Sequence, residues 1–219
     1  MAGAAERSGR PAEAVTIVAV SKTVASETIH AAYDLGFTTF GENRVQEAEA
    51  KIAALRLPGI HWELIGHLQT NKVARASRLF GRIESVDSLR LAERLNSAVA
   101  VDNHTLPILL EVNVGGESSK SGFAPDELMA AAAALMKFTN LWPQGVMTIA
   151  PMAEDPEQVR PIFQRLRSLR DQLRAQALLD RDGCWNELSM GMTDDFEVAI
   201  EEGSTMVRIG RALFGVRPT

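Results

Sequence analysis

Eight times along its 219 residues the chain repeats one unit, a short run of apolar and β-branched residues followed by a longer segment that is apolar on one face only. The short runs are VTIVAVSK (15–22), FTTFGEN (37–43), HWELIG (61–66), RIESV (82–86), PILLEVNV (107–114), QGVMTIA (144–150), WNELSM (185–190) and TMVRIG (205–210). Between them lie segments of helical period, such as ASETIHAAYDLG ended by Gly36, RVQEAEAKIAAL, PDELMAAAAALMKF and PEQVRPIFQRLRSLRDQLRAQ. Strands that alternate with helices pair in parallel, because each helix carries the chain back to the same end of the sheet. Eight such units predict an α/β fold of one domain spanning 1–219, a single (β/α)8 TIM barrel. The rival is a doubly wound open sheet. The strand count and the lack of a GxGxxG turn after the first strand argue against it.

The count leaves one gap. Such barrels run to about 250 residues, and here the last strand is followed only by ALFGVRPT, too little for a full eighth helix. A helix before the first strand is the natural cover, although only fourteen residues precede VTIVAVSK.

Composition removes several classes of function. A net charge of −5 gives no electrostatic footprint for nucleic acid. The longest apolar run, LMAAAAALM (128–136), is too short to span a bilayer, so no membrane partner is expected. The N-terminal MAGAAERSGRPAEA lacks the apolar stretch of a signal peptide. The one cysteine, Cys184, cannot form a disulfide within the chain and reads as a small structural residue. A cytoplasmic protein is the expectation, and a monomer.

The active sites of these barrels form at the carboxyl ends of the strands. Lys22 ends the first strand there. Side chains alternate along a strand, so Thr16, Val18, Val20 and Lys22 share a face. If Val18 and Val20 fill the barrel, Lys22 points into its mouth, where a partly desolvated amine becomes a nucleophile toward carbonyls. The alternative is a lysine that extends from the strand end into water. Asn43 and Asn113 hold matching positions on the second and fifth strands, and each either contacts a ligand or caps the next helix.

Barrels often hold phosphate in the loops after strands seven and eight. Ser189 and Gly191 are read as lying after the seventh strand, and Gly210 at the end of the eighth. Glycine lets backbone N–H groups approach an anion. An aldehyde-seeking amine together with a phosphate cradle matches the needs of pyridoxal phosphate (PLP). Arg208 shares the face of Gly210, and two roles stay open for it. It donates to a ring nitrogen of the cofactor, which keeps that nitrogen unprotonated and restrains carbanion chemistry, or it pairs with Glu111 or Glu187 inside the barrel. Asp194 and Glu197 have capping-box spacing, with Asp194 as the cap. His61 and His67 flank the third strand without a third ligand at metal spacing, so no metal is expected. His67 is a candidate lining residue, while His30 and His104 read as surface positions. The loop GGESSKSGF (115–123) reads as a lid whose Lys120 meets an anion, or as an ordinary loop.

AVSK with Lys22, FGENRVQEA (40–48), WELIGHLQTNK (62–72), SKSGF (119–123), LSMGMTDDFE (188–197) and GSTMVRIGRALFG (203–215) follow one another in one order. This combination resembles the pyridoxal phosphate homeostasis protein family over nearly the whole chain. The resemblance implies the barrel of the alanine racemase N-terminal domain without its β-domain. It implies an internal aldimine between PLP and Lys22, with Asn43 beside the ring. Ser189 and the backbone at Gly191 would approach the phosphate, with Gly210 and residue 211 completing the cradle, and Arg208 would face the ring nitrogen. It further implies a role in vitamin B6 and amino-acid balance without established turnover, with PLP-dependent apo-enzymes as recipients. The chain departs from many relatives at Arg211, where they carry Thr or Ser, and in the short segment before its first strand. A PLP-dependent amino-acid racemase is the alternative. It needs a second base opposite the lysine, and Tyr33 falls within the first predicted helix. A Schiff-base aldolase acting on a phosphorylated sugar is a third reading.

Overall fold

A computed structural model describes residues 1–117, 120–176 and 183–215. The strands β1 (Thr16–Val20), β2 (Thr39–Glu42), β3 (His61–Leu64), β4 (Arg82–Val86), β5 (Leu106–Glu111), β6 (Leu141–Met147), β7 (Glu187–Met192) and β8 (Met206–Ile209) pair in parallel and in chain order. β8 returns to β1, with Val18 opposite Arg208, which closes the barrel. The helices are α1 (Ala2–Arg7), α2 (Ser26–Asp34), α3 (Val45–Leu55), α4 (Val73–Leu79), α5 (Leu89–Val101), α6 (Leu128–Leu135), α7 (Arg160–Ala175), α8 (Phe196–Glu201) and α9 (Arg211–Phe214). The (β/α)8 barrel expected from the alternation is the fold observed.

Alternation along each strand separates two layers. Outward residues such as Ala19, Phe40, Leu64, Ile83, Leu110 and Leu188 pack against helix residues such as Leu95, Leu128 and Phe163 in one large apolar cluster. Inward residues Val18, Val20, Ile65, Leu109, Met147 and Met206 form a separate, smaller cluster within the barrel. The predicted face of β1 is therefore correct.

The gap beside β8 is filled from the N-terminus. α1 packs Ala4 and Ala5 against Ile200, Val207 and Ile209. Arg7 on α1 pairs with Glu197 and Glu201 on α8, at 2.6 Å each. Arg10 donates to the carbonyls of Ile200 and Gly203. Six helical residues thus do what the sequence asked of a longer helix.

Most strands are shorter than the apolar runs that predicted them: β1 ends at Val20, so Lys22 lies just beyond it and does not end it, and β5 ends at Glu111. Two strands are displaced for reasons the backbone shows. β6 begins at Leu141, three residues before the expected start, although Pro143 lies within it. A register shift against β5 places Pro143 opposite Ile108 and Gly145 opposite Leu109, so a bulge at Gln144 absorbs the missing N–H. β7 begins later and runs to Met192, because Trp185 takes a left-handed backbone (φ 59°) that ends the preceding turn. Ser189 and Gly191 consequently lie within β7 and not after it. Among the described residues no helix is long and apolar enough to cross a membrane.

Candidate functional site

The carboxyl ends of the strands surround a cavity of about 540 Å³. Its lining includes Lys22, Asn43, His67, Glu111, Asn113, Lys120, Arg208, Gly210 and Arg211. Five of the seven sequence-predicted site residues therefore meet in one cavity. The two others, Ser189 and Gly191, do not line it.

Lys22 stands in the turn that follows β1, half-buried, above the inward Val20. Asn43 follows β2. The capping role left open for it is not the one adopted, since Arg44 is the N-cap of α3 and offers no side-chain bond. The backbone of Asn43 presses on Gly66, where an added Cβ would lie 2.5 Å from the Asn43 carbonyl oxygen. Asn113 instead braces the loop beyond β5, its Nδ2 donating to the Glu117 carbonyl at 2.8 Å. Lys120, on that loop, is ion-paired with Glu117 at the rim. Ser118 and Ser119, the tip of the expected lid, lie outside the described residues.

Arg208 is the cation of the cavity floor. Its side chain is 4% exposed, and burial lowers its pKa against the opposing pull of Glu84, Asp195 and Glu111. Nη1 donates to Ser189 Oγ at 2.5 Å and Nη2 to the Thr148 carbonyl at 2.7 Å. Its nearest carboxylate is Glu84 Oε2 at 3.9 Å, on β4. The pairing partners weighed from sequence were Glu111 and Glu187, and neither takes this place. Glu187 accepts from Thr205 Oγ1 near the opposite end of the barrel. Glu111 lines the cavity, where burial and then the charge of Asp87 push its carboxyl upward. Sequence reasoning missed Glu84. An acid between Ile83 and Ser85 in an otherwise buried strand was the available signal.

Ser189 donates to Glu84 while accepting from Arg208. Its hydroxyl holds the guanidinium below the cavity and is fully buried. Gly191 faces outward. An added Cβ would sit 2.5 Å from Ala199 Cβ on α8, and φ is +94°. The ladder between β7 and β8 shifts register between Ser189 and Met192, which turns Gly191 away from the barrel axis. Met192, Thr193 and Asp194 meet the cavity in its place.

Gly210 and Arg211 begin α9 at the rim. Arg211 is ion-paired with Asp194. Asp194 is therefore not the cap of α8. Asp195 holds that position, and its carboxylate accepts the Met192 N–H at 2.6 Å. His67 lines the cavity as expected, with Nδ1 3.0 Å from Asp87. The single tyrosine, Tyr33, lies on α2 outside the cavity, and its hydroxyl donates to the Pro58 carbonyl.

The chemistry gathered here includes two amines (Lys22 and, at the rim, Lys120), two guanidinium groups, two amides and a glycine turn. Such a set receives a carbonyl compound that also carries an anion. Comparison with known proteins agrees with this fold. The family described as "Alanine racemase, N-terminal domain" matches residues 5–218. A pyridoxal phosphate homeostasis protein of Aquifex aeolicus is 43% identical over 214 residues, covering 98% of this chain and 92% of its own. The protein of that name from Escherichia coli K12 is 40% identical, covering 99% and 92%. The structure of PipY from Synechococcus elongatus with PLP bound superposes with a TM-score of 0.85 at 37% identity, covering 97% of this chain and 100% of PipY. An alanine racemase of Clostridium difficile, 17% identical with a TM-score of 0.73, shares the fold across 99% of this chain and 55% of its own. With this barrel, a lysine beyond its first strand and relatives of that identity along its whole length, the chain belongs to the pyridoxal phosphate homeostasis protein family.

Proposed function

We propose that this protein binds PLP covalently through Lys22 and acts in vitamin B6 homeostasis, carrying the cofactor and not turning over a substrate. The observation that carries the reading is the convergence of Lys22, Asn43, Arg208, Gly210 and Arg211 on one cavity of about 540 Å³. The donor set fits PLP. Bound PLP supplies an aldehyde that condenses with amines, expelling water, and a phosphate that anchors it. Lys22 contributes the amine and Asn43 an amide beside the ring. Gly210 and Arg211, with the Met192–Asp194 turn that lines the same cavity, would hold the phosphate. Arg208 is held by Ser189 and Thr148, and its remaining N–H groups would donate toward the ring nitrogen. A nitrogen that faces a permanent donor stays unprotonated, which restrains carbanion formation. Ser189 and Gly191 serve at one remove, the first by fixing Arg208 and the second by seating α8 against β7.

The racemase reading has less support. Inversion at a carbon needs a base on each face, and Tyr33 is committed elsewhere on the surface of the barrel. A carrier that works as a monomer in the cytoplasm and passes PLP to apo-enzymes follows from this reading. Titration with PLP, borohydride reduction and peptide mass spectrometry test it. The expected result is a single reduced adduct at Lys22. No adduct, or one spread over surface lysines, overturns it. Sustained interconversion of L- and D-amino acids by the loaded protein would establish the racemase instead.

A further inference from the structure

Lys22 is not on a strand. It occupies the middle of the turn Ser21–Thr23, and Thr23 adopts φ +63°, a left-handed backbone that a β-branched residue rarely takes. A turn of this kind persists only where its surroundings over-determine it. Here they do, from both sides of Lys22. Ser21 Oγ donates to Glu42 Oε1 at 2.7 Å, and the Ser21 carbonyl accepts from Lys51 Nζ at 2.6 Å. The Thr23 N–H donates to Glu47 Oε1 at 2.5 Å. Lys51 Nζ joins the two halves, donating to Glu42 Oε1 at 2.7 Å and to Glu47 Oε1 at 2.6 Å. Its three N–H bonds are thereby used.

This cluster is built, not incidental. Lys51 is 8% exposed and Glu42 fully buried. Lys51 stands on the inner face of α3 with Val45 and Ala48, where an apolar residue would satisfy packing. A buried ion cluster is weak evidence of stability, since apolar replacements are often as stable. An apolar side chain, however, cannot hold the Ser21 carbonyl or keep Glu47 aimed at Thr23. Glu42, Glu47 and Lys51 do not line the cavity, so they act on Lys22 only through the turn.

We propose that Lys51, with Glu42 and Glu47, is a positioning group that clamps the Ser21–Thr23 turn and so aims the Lys22 amine into the cavity. The proposal rests on the reading of Lys22 as the attachment point. Its test compares Lys51→Met, Lys51→Arg and Glu47→Ala with the unaltered chain. In PLP-free protein, amide hydrogen exchange at Thr23 and the acylation rate of Lys22 relative to Lys72 and Lys137 are measured. With PLP, the concentration giving half-maximal borohydride-fixed adduct at Lys22 is measured, and thermal unfolding reports folding. Loss of a charge-assisted hydrogen bond predicts Thr23 exchange faster by about tenfold or more, and half-saturation raised by about as much, in Lys51→Met and Glu47→Ala. Lys51→Arg recovers part of both. Folded variants with unaltered Thr23 exchange and unaltered half-saturation overturn the proposal, and Glu47→Ala alone decides it if Lys51→Met does not fold. Absence of an adduct in the unaltered chain would defeat the attachment reading, while Thr23 exchange would still report on the clamp.

Discussion

The two faces of the same barrel wall obey different rules. The outward face is apolar and continuous, from Phe40 through Leu64, Ile83 and Leu110 to Leu188, and meets helices that are apolar in the same places. The inward face mixes a few apolar residues with buried Glu63, Glu84, Ser189 and Arg208. Burial of apolar area carries the first layer, and an apolar side chain of similar volume is tolerated there. Each polar group of the second layer needs a named partner, because an unpaired buried charge is costly. The outer layer therefore specifies that a barrel forms, and the inner layer specifies what the barrel can bind.

Substitutions on each side sharpen this division. The largest effect expected is at Lys22. Lys22→Ala abolishes the borohydride-fixed adduct while the thermal unfolding midpoint stays near its original value, and an adduct retained at full yield would break the assignment. On the outer face, Phe163→Ala on α7 empties a fully buried site and lowers stability by about 3–5 kcal/mol in denaturant unfolding. The PLP adduct at saturation is expected to be unchanged, and its loss would show that the two layers are not separable.

On the inner face, burial and then the neighbouring charge of Glu84 push the Glu63 carboxyl well above the usual carboxylate range. The folded state then holds a proton that the unfolded chain releases. That contribution is complete below the unfolded pKa of about 4.3 and is lost as pH rises from there through the raised folded value. Glu63→Gln removes the dependence. Stability curves of the two proteins should diverge with rising pH by about 1.4 kcal/mol per pH unit at most, in favour of the variant. Parallel curves would mean that Glu63 is ionised in the barrel. The smallest effect is expected at the rim, where Arg211 is half exposed and already paired with Asp194. Arg211→Ala weakens PLP binding by about fivefold or less, measured by titration. A much larger loss would make Arg211 the principal anchor of the phosphate.

The outer layer was also the legible one. Periodicity and β-branched runs located every strand, and parity put Val18 and Val20 inside. Strand limits failed where local geometry departed from a regular ladder, at the bulge that admits Pro143 and at the left-handed Trp185 before β7. Lys22, Asn43, Arg208 and Gly210 were readable because the fold puts strand ends at the mouth, and Arg211 entered through family resemblance. Their supports were not. Glu84 meets Ser189 across the barrel, 105 residues away in sequence, and no period of two or 3.6 encodes such a meeting. Lys51 offered one hint, a charge on the apolar stripe of its helix, with Glu47 one turn before it.

The slipped rung between β7 and β8 has a consequence of its own. Ser189 and Gly191 are two apart, so a regular ladder would aim both at the axis; the slip sends one in and the other out. Which stretch of backbone greets an arriving anion is thus settled by a counting offset in the wall. Deleting one residue there would change no chemical group at the rim, yet it would rotate the whole Met192–Asp194 turn. Grafting the Gly-rich motif alone onto another barrel would transfer the letters without the aim.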